Sequence, residues 1–97
     1  MTTLIWSPQS LRDLESICEY IARESPATAD LVLRKIVSAV QRLVPFPKSG
    51  RIVPERNDSD IREVIVPPYR VVYRLRGDVV EIATIFRGSR AFPEPLE

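Results

Sequence analysis

Ninety-seven residues, 44% of them apolar and 28% charged, suffice for one modest core and match an ordinary globular chain, not a disordered one. The chain has no histidine and one cysteine, which excludes an internal disulfide, a Ser-His-Asp triad, a His-dependent nuclease and a His-ligated metal site. The net charge of +1 hides an asymmetry: residues 1–33 hold two basic and five acidic side chains, residues 34–97 twelve basic and eight acidic.

Thr2 to Trp6 predicts a short strand, β-branched and aromatic before a break. Ser7-Pro8 is a helix start, with serine as N-cap and proline in the first turn. Leu11, Leu14, Ile17/Cys18 and Ile21 recur at helical spacing to about Glu24, with Arg12, Asp13, Glu15 and Glu19 facing away. Cys18 on that apolar stripe reads as a small core residue. Ser25-Pro26 repeats the start signal, and Ala29, Val32/Leu33, Ile36, Val40 and Leu43 carry a second stripe to about Val44. Two helices with almost no loop between them predict an antiparallel hairpin.

Pro45, Pro47, Ser49 and Gly50 close the helical part, and Arg51 to Asp60 is a polar connection with one short extended piece at Arg51–Val53. Ile61–Val66, Tyr69–Arg76 and Val79–Phe86 are β-branched and aromatic runs separated by Pro67-Pro68 and Gly77-Asp78, an antiparallel meander. Alternation puts Tyr69, Val71, Tyr73 and Leu75 on one face, toward the helices. It puts Arg70, Val72, Arg74 and Arg76 on the other, toward solvent or a partner. The expected architecture is α+β: an N-terminal strand and an antiparallel helical hairpin packed on a twisted antiparallel sheet of three to four strands. It forms a single domain over residues 1–97, with a mobile tail at 91–97. The opening MTTLIWSPQS has neither the basic start nor the apolar stretch of a secretory signal, so a cytoplasmic address is expected. No run approaches the roughly 20 apolar residues of a membrane span, so no membrane partner is expected.

The order of these pieces resembles the ParE/RelE toxin superfamily. SPQSLRDLESICEYIARESPATADLVLRKIVSAVQRL, then FPKSGR, then IREVIVPPYRVVYRLRGDVVEIATIFRGSR follow the family's plan. That plan is an early strand, a helix of the "A..DL..I..YI" kind, a second helix ending in "L..FP..GR", a strand "REv.v..YrVvYr" and a closing "G.R". The resemblance covers nearly the whole chain. It implies a toxin encoded with an antitoxin that wraps and neutralises it, hence a toxin–antitoxin hetero-oligomer. Two targets go with the fold: DNA gyrase in ParE-like members, and the ribosome with its mRNA in RelE-like members, which cleave RNA.

The residues favour the first. Cleaving RNA without a metal requires groups that activate the 2′-hydroxyl, stabilise the phosphorane and protonate the leaving oxygen. Where RelE-like toxins carry lysines this chain has Ile61 and Glu63, and no lysine follows Lys48. The family's histidine before the closing motif is replaced in Phe86-Arg87-Gly88-Ser89-Arg90. Arginine stabilises a phosphorane but is a poor proton donor and a worse base. The expectation is therefore a gyrase poison with no catalytic residues and no cofactor. Arg62, Arg70, Arg74, Arg76, Arg87 and Arg90 are its candidate partner-binding residues. An interferase would instead use Arg70, Arg87 and Arg90 with Glu63. A plainer reading has Arg70, Arg74 and Arg76 pairing with Glu63 and Glu81 across the sheet, and Arg87 and Arg90 clamping Glu94 and Glu97.

Overall fold

Ser7 and Ser25 each cap a helix in the computed structural model, which describes residues 1–96. The Ser7 hydroxyl accepts the Ser10 N–H at 3.0 Å and the Ser25 hydroxyl accepts the Thr28 N–H at 3.2 Å; a proline follows each serine. Helix α1 spans Pro8–Ala22 and α2 spans Pro26–Gln41. The second stops short of the expected Val44 because residues 42–45 turn instead. The two helices pack on each other and on one face of a sheet. Among the described residues, no helix is long and apolar enough to cross a membrane.

Five strands make up that sheet: β1 (Thr3–Trp6), β2 (Arg51–Ile52), β3 (Ile61–Val66), β4 (Tyr69–Arg76) and β5 (Val79–Arg87), in the order β1-β5-β4-β3-β2. The meander β3–β4–β5 is antiparallel, as its short breaks demand. The sheet is larger than the three to four antiparallel strands read from sequence, and it is mixed. β1 joins the edge parallel to β5, a pairing that needs a long crossover, and the intervening helices and strands supply it. β2 adds two residues against β3.

The main core lies between helices and sheet. Ile36, Val40 and Leu43 meet Tyr69, Val71 and Tyr73 of β4 and Val80, Ile82 and Ile85 of β5. Each fully buried aliphatic side chain there contributes roughly 1.5–3 kcal/mol. Helix α1 adds Leu14, Ile17 and Ile21, all only partly buried.

β5 breaks its own alternation. Val72 pairs with Thr84 but Tyr73 pairs with Ile82, so Ala83 is bulged out of register. Ile82 and Ile85 thereby both face the helices, and Phe86 turns to the opposite side. The Ala83 carbonyl accepts the Ser7 hydroxyl at 2.9 Å, which ties the start of α1 to the bulge. Asp13, expected to face away, reaches the sheet instead. Its carboxylate accepts the Ile85 N–H at 3.0 Å and the Thr84 hydroxyl at 2.6 Å, satisfying a strand edge that β1 is too short to cover.

The second face of the sheet is also covered, contrary to the expectation of an open arginine face. Val53, Ile61, Val72 and Phe86 form a second cluster on which Phe92 and Leu96 pack. Residues 91–96, read from sequence as a tail, run across this face. The Phe92 ring stands edge-on to Phe86 at 5.8 Å, Arg74 donates to the Leu96 carbonyl at 2.5 Å, and Arg56 lies 3.6 Å from Glu94.

Between helices and sheet, Tyr73 is fully buried. Its hydroxyl donates to the Pro47 carbonyl at 2.8 Å and accepts the Gly50 N–H at 3.0 Å. A Cβ on Gly50 would sit 2.5 Å from that hydroxyl and 2.6 Å from the Glu63 carbonyl oxygen, so only glycine fits. Tyr73→Phe strands a donor and an acceptor and is expected to cost about 1–3 kcal/mol in urea unfolding. Gly50→Ala should cost more, because backbone as well as a buried ring must move.

Candidate functional site

Glu63 sits mid-strand on the second face, opposite Val72, with its side chain entirely out of water. A carboxylate so placed needs charged partners. Arg51 Nε reaches one oxygen and Arg70 Nε the other, both at 2.5 Å. Arg70 is diagonal to Glu63 across the β3–β4 ladder, close enough for a long side chain to bridge. Its two terminal nitrogens donate to the two oxygens of Glu55, each at 2.8 Å, the bidentate geometry that a guanidinium favours. Two rings that stand edge to face lie against the guanidinium, the Phe86 centroid 5.2 Å and the Phe92 centroid 5.6 Å from its carbon.

The Glu55 contact, with smaller contributions from Glu63, raises the Arg70 pKa further above its already high value. The reciprocal hydrogen bond from Arg70 lowers the Glu55 carboxyl to about 2. Two cations and two anions balance, so the cluster attracts no further anion. Both Glu63 oxygens are taken as acceptors. Each nitrogen of Arg70 thus has a carboxylate partner within the chain, and the Glu63 side chain has no solvent contact.

The remaining predicted residues scatter. Arg62 binds three backbone carbonyls, those of Ser59, Lys48 and Gly50, and so pins the loops beside β3. Arg74 is 3.4 Å from Glu81 and holds the Leu96 carbonyl. Arg76 is exposed at the end of β4. Arg87, the last residue of β5, and Arg90 just beyond it are exposed, Arg87 lying 5.9 Å from the Tyr69 ring centroid. Glu94 pairs with Arg56 and not with these two arginines, and Glu97 lies outside the described residues. The structure brings together only Arg70 and Glu63 as one cluster, and Arg87 and Arg90 as lining of one groove between α1 and β5.

Glu55 and Phe92 escaped the sequence reading because each comes from a segment without periodicity. Their one available signal is composition, an acid in a polar loop and an aromatic in a proline-rich tail. The free thiol of Cys18 is half-buried, and that burial pushes its pKa up, consistent with a packing residue. Among the described residues, no three Asp, Glu or Cys side chains converge as metal ligands would.

A family model described as the ParE toxin of type II toxin–antitoxin systems, parDE, matches residues 4–92. The chain belongs to the ParE toxin family. Two curated relatives agree with that placement. A Sinorhizobium fredii chain that carries a toxin's name, Y4kP, is 37% identical over 93 residues, covering 94% of this chain and 93% of its own. The Caulobacter vibrioides toxin RelE2 is 31% identical over 91 residues, covering 93% and 99%. A solved structure of a chromosomal ParDE toxin–antitoxin system from P. aeruginosa superposes with a TM-score of 0.74 at 24% identity, covering 90% of this chain and 96% of that one, a match of fold. This ParE-family chain is thus a type II toxin whose "YR" arginine is enclosed by its own carboxylates.

Two outcomes follow from that enclosure. Arg70→Met leaves Glu63 buried with one cation fewer and should cost about 3–5 kcal/mol in urea unfolding, while Arg87→Ala at the surface should stay within about 0.5 kcal/mol. The depressed Glu55 pKa sets the pH behaviour. Its stabilisation is complete above the ordinary 4.5 and is lost as pH falls toward 2. The urea midpoint of the wild type should drop through that window. Glu55→Gln should start lower at neutral pH and change less, the 40% exposure of the Glu55 side chain keeping the effect modest.

Proposed function

We propose that this ParE-family toxin stops replication by binding DNA gyrase, without bond-making chemistry of its own, and that a cognate antitoxin neutralises it as a hetero-oligomer in the cytoplasm. One observation carries the reading: the arginine that would have to grip a phosphate in an RNA-cleaving relative is held on all its nitrogens by Glu63 and Glu55. With Arg70 and Glu63 committed to each other, an interferase would be left with Arg87 and Arg90, and arginine supplies neither a general base nor a general acid at neutral pH. A poison that works by contact needs only a surface. The family description, which names the parDE pair, and the fold match to a ParDE system support the antitoxin partner.

The RelE-type reading, a ribosome-dependent mRNA endonuclease, draws on the relative named RelE2. Pulse-labelling separates the two. After induction in a bacterial host, thymidine incorporation should fall before methionine incorporation. A fall in methionine incorporation first would put the target in translation and overturn the gyrase reading.

A further inference from the structure

We propose that the turn at residues 46–50 and the adjoining half of α2 bind single-stranded nucleic acid, one base stacking on Phe46 and phosphates meeting Lys35, Arg42 and Lys48. The inference goes beyond the gyrase reading and does not depend on it. Residues 31–54 hold Arg34, Lys35, Arg42, Lys48 and Arg51 and no acid. Arg34 is paired with Asp30 and Arg51 with Glu63. Lys35, Arg42 and Lys48 are exposed, and among the described residues none of them has a carboxylate within ion-pair distance. Lys35 and Arg42, the C-cap, stand two turns apart on one side of α2, about 10 Å along its axis. Arg42 and Ser49 line one cleft of about 270 Å³, which joins the helix end to the turn.

The turn is held at every residue. The Phe46 carbonyl accepts the Ser49 N–H at 3.0 Å and the Pro47 carbonyl accepts the buried Tyr73 hydroxyl at 2.8 Å. Arg62 donates to the carbonyls of Lys48 and Gly50, and the Gly50 N–H donates to Tyr73. Phe46, with a proline on either side, nevertheless stays 66% exposed. An apolar ring fixed in water gains nothing from its own fold, and what it lacks is a planar partner. Arg62 adds a charge to this corner, because its hydrogen-bond partners are carbonyls and not carboxylates. Asp58 and Asp60 flank Ser59, which Arg62 also holds, and they mark the limit of the surface on that side.

Charge beside an open ring identifies the occupant. Each nucleotide of a single strand brings one phosphate and one free π-face, which basic side chains and an exposed aromatic accept together. In a duplex the bases stack on each other and Phe46 would stay in water. One ring is too little apolar area to hold a lipid surface, and a carboxylate-rich peptide would leave the ring without a partner.

The test is fluorescence anisotropy on the full chain with labelled oligothymidine, its duplex with the complementary strand, and a polyglutamate peptide. Co-sedimentation with phosphatidylserine vesicles covers the lipid surface. Oligothymidine should bind saturably, with a log–log salt slope of about −2 for three phosphate contacts. Phe46→Ala should weaken binding about tenfold or more and leave that slope unchanged, and Phe46→Trp should restore the affinity. Lys35→Gln, Arg42→Gln and Lys48→Gln together should weaken binding and flatten the slope. Arg12→Gln with Arg23→Gln, exposed on α1 and at its end, should change neither. Urea midpoints should not move in any of these surface variants. Four results would each overturn the proposal. They are no saturable binding, indifference to Phe46→Ala, an equal loss from the Arg12/Arg23 pair, and binding of duplex, peptide or vesicles as tight as that of oligothymidine.

Discussion

A single buried carboxylate organises one side of this protein. Glu63 stands in the middle of β3 with no water contact, and an ionised group there is tolerable only if cations close on it. Arg51 does so from β2, and Arg70 from β4. Arg70 in turn requires partners for the rest of its guanidinium, and the β2–β3 connection supplies Glu55. The rings of Phe86 and Phe92 then close over the planar group, which draws the C-terminal segment onto the sheet. The path of the polar connection and the seat of the tail thus follow from one charge.

Much of the fold was legible because it depends on periodicity and on local capping chemistry. The serine-proline pairs gave both helix starts, and the alternation from Tyr69 to Leu75 gave the helix-facing side of β4. What escaped depends on non-local partners. Nothing in TTLIW says that it pairs parallel with a strand more than seventy residues away. The bulge at Ala83 resets which residues of β5 face inward, and simple alternation through IATIF puts Phe86 with Ile82 on the wrong side. Asp13 looks like a solvated helix residue until the uncovered edge of β5 is seen.

The candidate site was legible only in outline. The six arginines were visible in the sequence, but a sequence shows charge without showing which charges are already answered. Pairing of Arg70 with Glu63 and of Arg74 with Glu81 appeared there as the plainer alternative, and the structure has both contacts. Among the described residues the structure therefore commits Arg62, Arg70 and Arg74 to partners within the chain and leaves three arginines exposed, Arg76 alone at the end of β4 and Arg87 with Arg90 as a pair lining one groove. For a protein whose proposed work is contact, that remainder is the informative part. The pair lies beside α1, away from the strand position to which the family pattern first directs attention.

The central claim is that Arg70 holds the fold and does no chemistry, and replacing the network as a unit tests it most directly. Arg70→Met combined with Glu63→Leu removes the buried ion pair without leaving a lone buried charge, an exchange that proteins often accept at little or no loss of stability. The measurement is growth arrest on induction of this double variant, with its cooperative unfolding checked in parallel. The account predicts a folded chain that still arrests growth at wild-type inducer levels. A folded double variant that no longer arrests growth would contradict it and return Arg70 or Glu63 to the active machinery.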